Sequence, residues 1–284
     1  MIREIKDIEE VYDFVRTLSY DDRTAAYPRI KDDASLKRVL QQSVDLETDK
    51  LLACYDYGEQ LIGVAAYTKD YDGFMQTTIL LAKGDYTPVY DEMIDYFRQD
   101  LKGYEYHLGF PKSNQKALDY FQARPHFECI EDSIVTHVKN FSTYSRKTDR
   151  ELIQVTKDTF DDYGLFHDPI AKGFGMYYDA KNLLDNMDKF AVLALKEEDQ
   201  YVASIFYLPH PTATTVFGLF LHDDYHSKDL EEILIDGMLD HLSGHLDVID
   251  EIVYFIDPMD VNELKAAQKM GFETKEEYIC YLVK

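Results

Sequence analysis

Residues 77–101 read TTILLAKGDYTPVYDEMIDYFRQDL. The first seven, rich in β-branched residues and leucine, predict a strand, and Gly84 predicts a turn. From Tyr86 the apolar residues Val89, Met93, Phe97 and Leu101 recur every four positions, with Tyr90 and Ile94 alongside. That spacing predicts a core-facing helix from Tyr86 to Leu101. The succession returns at 214–242, TTVFGLFLHDDYHSKDLEEILIDGMLDHL. A strand there leads into a helix from about Ser227 to Leu242, with Leu230, Ile233, Leu234 and Met238 on one face. In both places an Asp-Tyr pair precedes the helix, Asp85-Tyr86 and Asp224-Tyr225.

Working outward, strands at 51–56 and 60–68 flank the turn Tyr57-Gly58-Glu59, just as 190–195 and 201–208 flank an acidic turn in the second half. Downstream come a strand near 104–109, a helix from Asn114 to about Ala123 and a strand 129–138. Their counterparts are a strand 251–256, a helix 261–270 stopped by Gly271, and a strand 277–284. Each half thus predicts helix–β–β–β–helix–β–helix–β, the pattern of a duplicated module. The polar, aperiodic run NFSTYSRKTDR (140–150) is read as a linker. The expected fold class is α+β, with two tandem domains at 1–140 and 150–284, each a mixed central sheet flanked by helices.

The 284 residues carry 30 Lys+Arg against 54 Asp+Glu, a formal net charge of −24. A surplus of acid argues against binding a bare phosphate backbone, so no nucleic-acid partner is expected, whereas a cationic amine would be attracted. No run approaches the length of a membrane span and no secretory leader is evident, so no membrane association is expected. Cys54, Cys129 and Cys280 form no paired motif and fall in strands, where a thiol acts as a small hydrophobe. A reducing, cytoplasmic setting is expected. Oligomeric state is not legible.

The strand–loop–helix order resembles the GNAT superfamily of N-acetyltransferases, in a tandem arrangement. The likeness rests on the Asp-Tyr pairs, on the helix beginning Asn114-Gln-Lys-Ala117-Leu-Asp-Tyr120-Phe121, and on Lys269-Met270-Gly271-Phe272-Glu273. It implies that acetyl-CoA binds where two parallel strands part, at 77–83 and 104–109 or at 214–221 and 251–256. An acetyl group would then pass to an amine, on a small molecule or a peptide. The strand ends Leu81, Lys83 and Leu221, with Asn114, Ser227 and Lys228, are the cofactor-binding candidates the resemblance implies. Tyr120 is the implied general acid, with Phe121 one residue out of register. The second half has Asp260 and Ala267 at the matching positions.

The family's phosphate loop uses glycines so that backbone N–H groups can approach a pyrophosphate at a helix N-terminus. Here those positions fall on Thr87, Pro88, Tyr90 and Glu92 in one half and on His226, Ser227, Asp229 and Glu231 in the other. Pro88 lacks an N–H, and carboxylates at a helix start cap it and repel phosphate. Thr87-Pro88 and Ser227 read as capping signals. The same features therefore support a non-catalytic GNAT-fold binding or scaffolding protein as the alternative. His107 is a candidate general base beside a strand end, and Glu59 reads as a solvated turn residue. The i,i+4 pairs His222/His226 and His241/His245 lack a third ligand at metal-binding spacing, so no metal is expected.

Overall fold

The computed structural model describes residues 1–69, 73–225 and 229–283. The chain divides into two compact units, one comprising Met1–Asp132 with Glu276–Lys284, the other Ser133–Lys275.

Unit 1 begins with β1 (Ile2–Glu4), α1 (Tyr12–Ser19), α2 (Asp33–Asp45), β2 (Asp49–Tyr55), β3 (Leu61–Lys69) and β4 (Phe74–Ala82). It continues with α3 (Tyr86–Asp100), β5 (Glu105–Pro111), α4 (Gln115–Gln122) and the start of β6 (Glu128–Phe141). Strands β1 to β4 pair antiparallel in sequence order, β5 joins β4 in parallel, and the last strand of the chain, β12 (Glu273–Val283), lies antiparallel beside β5. Alternation along the strands sorts the core onto two faces. Leu51, Ala53, Val64, Ala66, Ile79 and Leu81 pack with α1 and α2. Leu52, Ala65, Leu80, Ala82, Leu108 and Phe110 pack with α3 and α4.

Unit 2 holds the rest of β6, then β7 (Ile153–Gln154), α5 (Phe160–Gly173), α6 (Ala180–Asp185), β8 (Ala191–Glu197), β9 (Gln200–Leu208) and β10 (Ala213–Leu221). It ends with α7 (Leu230–His245), β11 (Ile249–Ile256) and α8 (Val261–Lys269). Pairing repeats that of unit 1: β7 to β10 antiparallel, β11 parallel to β10, and β6 antiparallel to β11. The predicted strands and helices are all present, with ends moved by a few residues.

Two organisational expectations are corrected. The boundary is not at 140–150, and each half is closed by a strand from the far side of the sequence. Residues 276–283 complete unit 1, and 133–141 complete unit 2. Side chains explain the pairing. An added Cβ at Gly109 would lie 2.8 Å from the ring of Tyr278, so glycine there admits the tyrosine. Tyr281 stacks on Phe121 at 4.8 Å, and the Arg29 guanidinium lies 2.6 Å from buried Glu276. In unit 2, His137 Nδ1 lies 2.7 Å from Glu251, which Lys275 also reaches at 3.0 Å.

Nor is 140–150 a free linker. Asp236 of α7, fully buried, accepts from the Tyr144 hydroxyl (2.6 Å), the Lys147 and Thr148 N–H groups (3.0 and 2.9 Å) and the Thr148 hydroxyl (2.7 Å). These donors hold its carboxyl below the usual range despite burial. A Cβ on Gly237 would lie 2.2 Å from Leu152, so this segment is a strap seated on α7. Of the cysteines, Cys54 and Cys280 are buried, whereas Cys129 is exposed because it lies near the start of β6.

Candidate active site

Strands β4 and β5 pair at Phe74–Glu105, Met75–Tyr106 and Gln76–His107 and then part. At that point Thr78 is an extra residue on β4, since Ala66 faces Ile79 while Tyr67 faces Thr77. A bulge bends its strand, and the bend opens a gap toward the N-termini of α3 and α4. Unit 2 repeats this: β10 and β11 pair up to Val216–Tyr254, and Phe217 is the extra residue. Repetition of bulge and parting at the same place is independent support for duplication.

Hydrogen-bond phase decides which backbone groups face each gap. Lys83 N–H donates to the Ile62 carbonyl of β3 at 2.9 Å. Because alternate residues point to alternate sides, Leu81 also faces β3, leaving Leu80 and Ala82 toward the gap. The candidates Leu81 and Lys83 therefore have the right strand but the wrong phase, and the Leu81 side chain is buried under α1 and α2. In unit 2, His222 N–H donates to the Val202 carbonyl, so Leu221 does face its gap.

The N-terminus of α3 is capped by Asp85, whose carboxylate accepts from Thr87 N–H at 3.0 Å. Thr87-Pro88 thus lies inside the helix rather than at its cap. Gly84 at φ +82° makes the turn, as expected. Lys116 Nζ donates to the Gly84 carbonyl at 3.1 Å, and Lys83 is exposed beside it. The Lys116 ammonium thus sits on a loop whose own cap is anionic, with exposed Lys83 adjoining it in sequence. Glu92 is not there: it lies nearly two turns into α3, 2.5 Å from the Met1 amino group and 3.7 Å from Cys54 Sγ. The phosphate-repelling role expected of Glu92 is therefore withdrawn.

Asn114 is fully buried and caps α4 by accepting from Ala117 N–H at 3.3 Å, while its amide donates to the Ala25 carbonyl at 3.0 Å. Asp260 caps α8 in the same way, accepting from Glu263 N–H at 3.0 Å. On α4 the Tyr120 hydroxyl donates to Asp91 of α3 at 2.6 Å, and the Arg124 guanidinium lies 3.7 Å over its ring. Burial, then Asp91, pushes the Tyr120 phenol far up, so it keeps its proton. Tyr86 and Tyr90, on the first two turns of α3, have buried hydroxyls; that of Tyr90 has no hydrogen-bond partner among the described residues, and Asn114 lies near that of Tyr86. Burial pushes Tyr86 up to about 12. Sequence reading placed Tyr90 in the core stripe and Tyr86 in the Asp-Tyr pair, and no local spacing connects Tyr120 with Asp91.

The loop between α1 and α2 meets the gap. Gly109 faces β4, as Glu105 does when its N–H donates to the Gly73 carbonyl, yet the Gly109 carbonyl accepts from Tyr27 N–H at 3.2 Å. Tyr27 packs on Tyr278, and Arg29 binds Asp22 and Ser113 besides Glu276. His107 stacks on Phe74 at 5.3 Å, and burial lowers its pKa. Glu59 is exposed and pairs with Arg3.

Around the unit 2 gap the electrostatics differ. Ser227 and Lys228 lie outside the described residues, as does His226. Asp229 precedes α7 with φ +53° and gives no side-chain cap. Glu231 is buried in the first turn, and Glu232 pairs with Lys269. Glu263 accepts from the Tyr254 hydroxyl at 2.5 Å, and burial, seconded by Asp260, Glu231 and Asp257, raises its pKa to about 8. The described residues here suit a phosphate poorly, whereas Lys83, Lys116 and the free strand edge of unit 1 suit one better. Among the described residues no group of three His, Cys, Asp or Glu side chains is arranged to hold a metal, and no helix is long and apolar enough to cross a membrane.

No protein-family model matches the chain. Over 31 residues, 11% of this chain and 69% of the other protein, it is 48% identical to the uncharacterized protein YkzD of Bacillus subtilis (strain 168). Among solved structures it resembles a GCN5-related N-acetyltransferase from Sphaerobacter thermophilus, with TM-score 0.61 and 8% identity over 99% of this chain and 95% of that one. It also resembles a tandem GNAT protein from the clavulanic acid biosynthesis pathway, with TM-score 0.50 and 8% identity over 100% and 98%. A conserved protein of unknown function from Staphylococcus epidermidis ATCC 12228 aligns with TM-score 0.56 and 13% identity over 77% and 90%. At these identities the likeness is one of fold: a mixed sheet with flanking helices, of the tandem GNAT kind.

Proposed function

We propose, from the premise of a tandem GNAT fold, that this protein is an acetyl-CoA-dependent N-acetyltransferase whose unit 1 holds the acyl donor. The supporting observation is the parting of β4 from β5, which leaves Leu80 and Ala82 backbone groups facing a gap beside Lys83 and Lys116. Acetyl-CoA would supply a thioester. The acceptor, having given up its ammonium proton to water, forms the C–N bond with its lone pair, and the C–S bond breaks with its electron pair leaving on sulfur. The nitrogen releases a further proton to water, and the thiolate takes one up. The free strand edge polarises the carbonyl. Lys83 and Lys116 offset pyrophosphate charge, and Asn114 fixes the start of α4. Tyr120, a phenol protonated throughout the working pH range, supplies the thiolate proton once its O–H turns from Asp91. The net charge of −24 favours a cationic amine, on a small molecule or a peptide, as acceptor. Three unpaired thiols suit the cytoplasm.

A second reading has its own support. Tyr27 occupies the Gly109 carbonyl and Asp85 satisfies the α3 N-terminus, as in a GNAT-fold module that binds without turnover. Acetyl-CoA at 100 times its dissociation constant should stabilise by about 2.7 kcal/mol, raising Tm by several degrees. With an amine present, Tyr120→Phe is expected to cut turnover by about tenfold or more while leaving that shift intact. A shift without turnover for any amine supports the second reading; no shift at millimolar acetyl-CoA rejects the first.

A further inference from the structure

The segment between α1 and α2 takes up groups on three elements that border the unit 1 gap. At its start the Asp22 carbonyl accepts from the Ser113 hydroxyl at 2.7 Å, and the Arg29 guanidinium reaches both the Asp22 carboxylate (2.6 Å) and the Ser113 hydroxyl (2.9 Å). At its middle the Ala25 carbonyl accepts from the buried Asn114 amide, at the cap of α4, at 3.0 Å. At its end Tyr27 N–H donates to the Gly109 carbonyl of β5 at 3.2 Å, and the Tyr27 ring packs on Tyr278 with centroids 4.3 Å apart. Asp21 lies near enough to Tyr86 on α3 for its charge to disfavour ionisation of the phenol. Ala25 and Ala26 are both buried, and their single methyl groups let the backbone sit close to β5 and α4.

We propose that residues 21–27 are an autoinhibitory plug of the unit 1 gap, a stretch of the protein's own backbone that holds the Gly109 carbonyl and the Asn114 amide until acetyl-CoA displaces it. The proposal rests on the reading of unit 1 as the half that takes the acyl donor. A pantetheine arm is itself built around amide groups, so it seeks the same strand-edge and side-chain partners as a peptide backbone. Two such chains compete for one gap. Leaving it costs the segment its hydrogen bonds, so only a fraction of the free protein is open, and the apparent dissociation constant is the intrinsic one divided by that fraction. The stretch that must move is short, because buried Ile30 and the pairing of Arg29 with buried Glu276 (2.6 Å) anchor the chain just beyond it.

Amide hydrogen exchange and calorimetric titration with acetyl-CoA, both on the whole protein, test it. In the free protein the Tyr27 amide should exchange slowly, and saturating acetyl-CoA should speed that exchange by about tenfold or more. Ser113→Ala, an exposed change that removes both hydrogen bonds at the start of the segment, should raise acetyl-CoA affinity by about fivefold. Tyr27→Ala, which takes the ring off Tyr278, should raise it by a similar factor. Glu59→Gln, on an exposed turn, should leave it unchanged. Equal affinity in the wild type, Ser113→Ala and Tyr27→Ala, or slower Tyr27 exchange on binding, would overturn the plug and leave the acyl-donor reading standing. No acetyl-CoA binding by any of the three would reject that reading, and the plug with it.

Discussion

Glu263 holds its proton up to about pH 8 in the folded chain, against an ordinary value of 4.5. Between those limits the folded state binds one proton more than the unfolded state, so stability falls as pH rises. The contribution is complete below about 4.5 and gone above about 8, on the order of a few kcal/mol. Glu263→Gln, which can still accept from Tyr254, should lose less Tm than the wild type between about pH 5 and pH 8.5. Parallel Tm–pH curves would contradict the assignment. Residues of this kind were poorly legible in the sequence. Asn114 could be found because a cap announces itself by position, whereas the Tyr120–Asp91 and Glu263–Tyr254 pairs join different elements, and no spacing rule links them. Leu80 and Ala82 rather than Leu81 and Lys83 turn their backbone groups to the gap because strand phase depends on which neighbour takes each N–H, so Lys83 stays a candidate through its ammonium group alone.

Elements were far more legible, since period-two and period-four apolar patterns report burial directly. The strap at 144–152 was missed for a physical reason. It is held by backbone donors to one buried carboxylate and by Leu152 over Gly237, and neither leaves a periodic trace. Asp236→Asn removes the charge that those donors satisfy and puts an amide among them, a loss of about 2–3 kcal/mol in the strap's attachment. Limited trypsinolysis should then cut after Arg146 or Lys147 much faster than in the wild type, with α7 still folded. Unchanged protection would mean that Asp236 does not hold the strap.

At the scale of the whole chain, duplication was readable because the order of elements repeats, and the interchange of closing strands was not. Strands 129–138 and 277–284 have equivalent patterns, and only particular fits, Tyr278 over Gly109 and Glu276 on Arg29, select the partner. The two gaps share a backbone plan and differ in charge, with Lys83 and Lys116 at one and buried Glu231 and Glu263 at the other. That difference is the ground on which we propose unit 1 as the half that holds the acyl donor. A crystal structure of the full chain grown with acetyl-CoA is the most direct test. The account expects the pantetheine arm between β4 and β5, on Leu80 and Ala82, with Tyr27 displaced from Gly109; density between β10 and β11 instead, or in neither gap at saturating ligand, would contradict it.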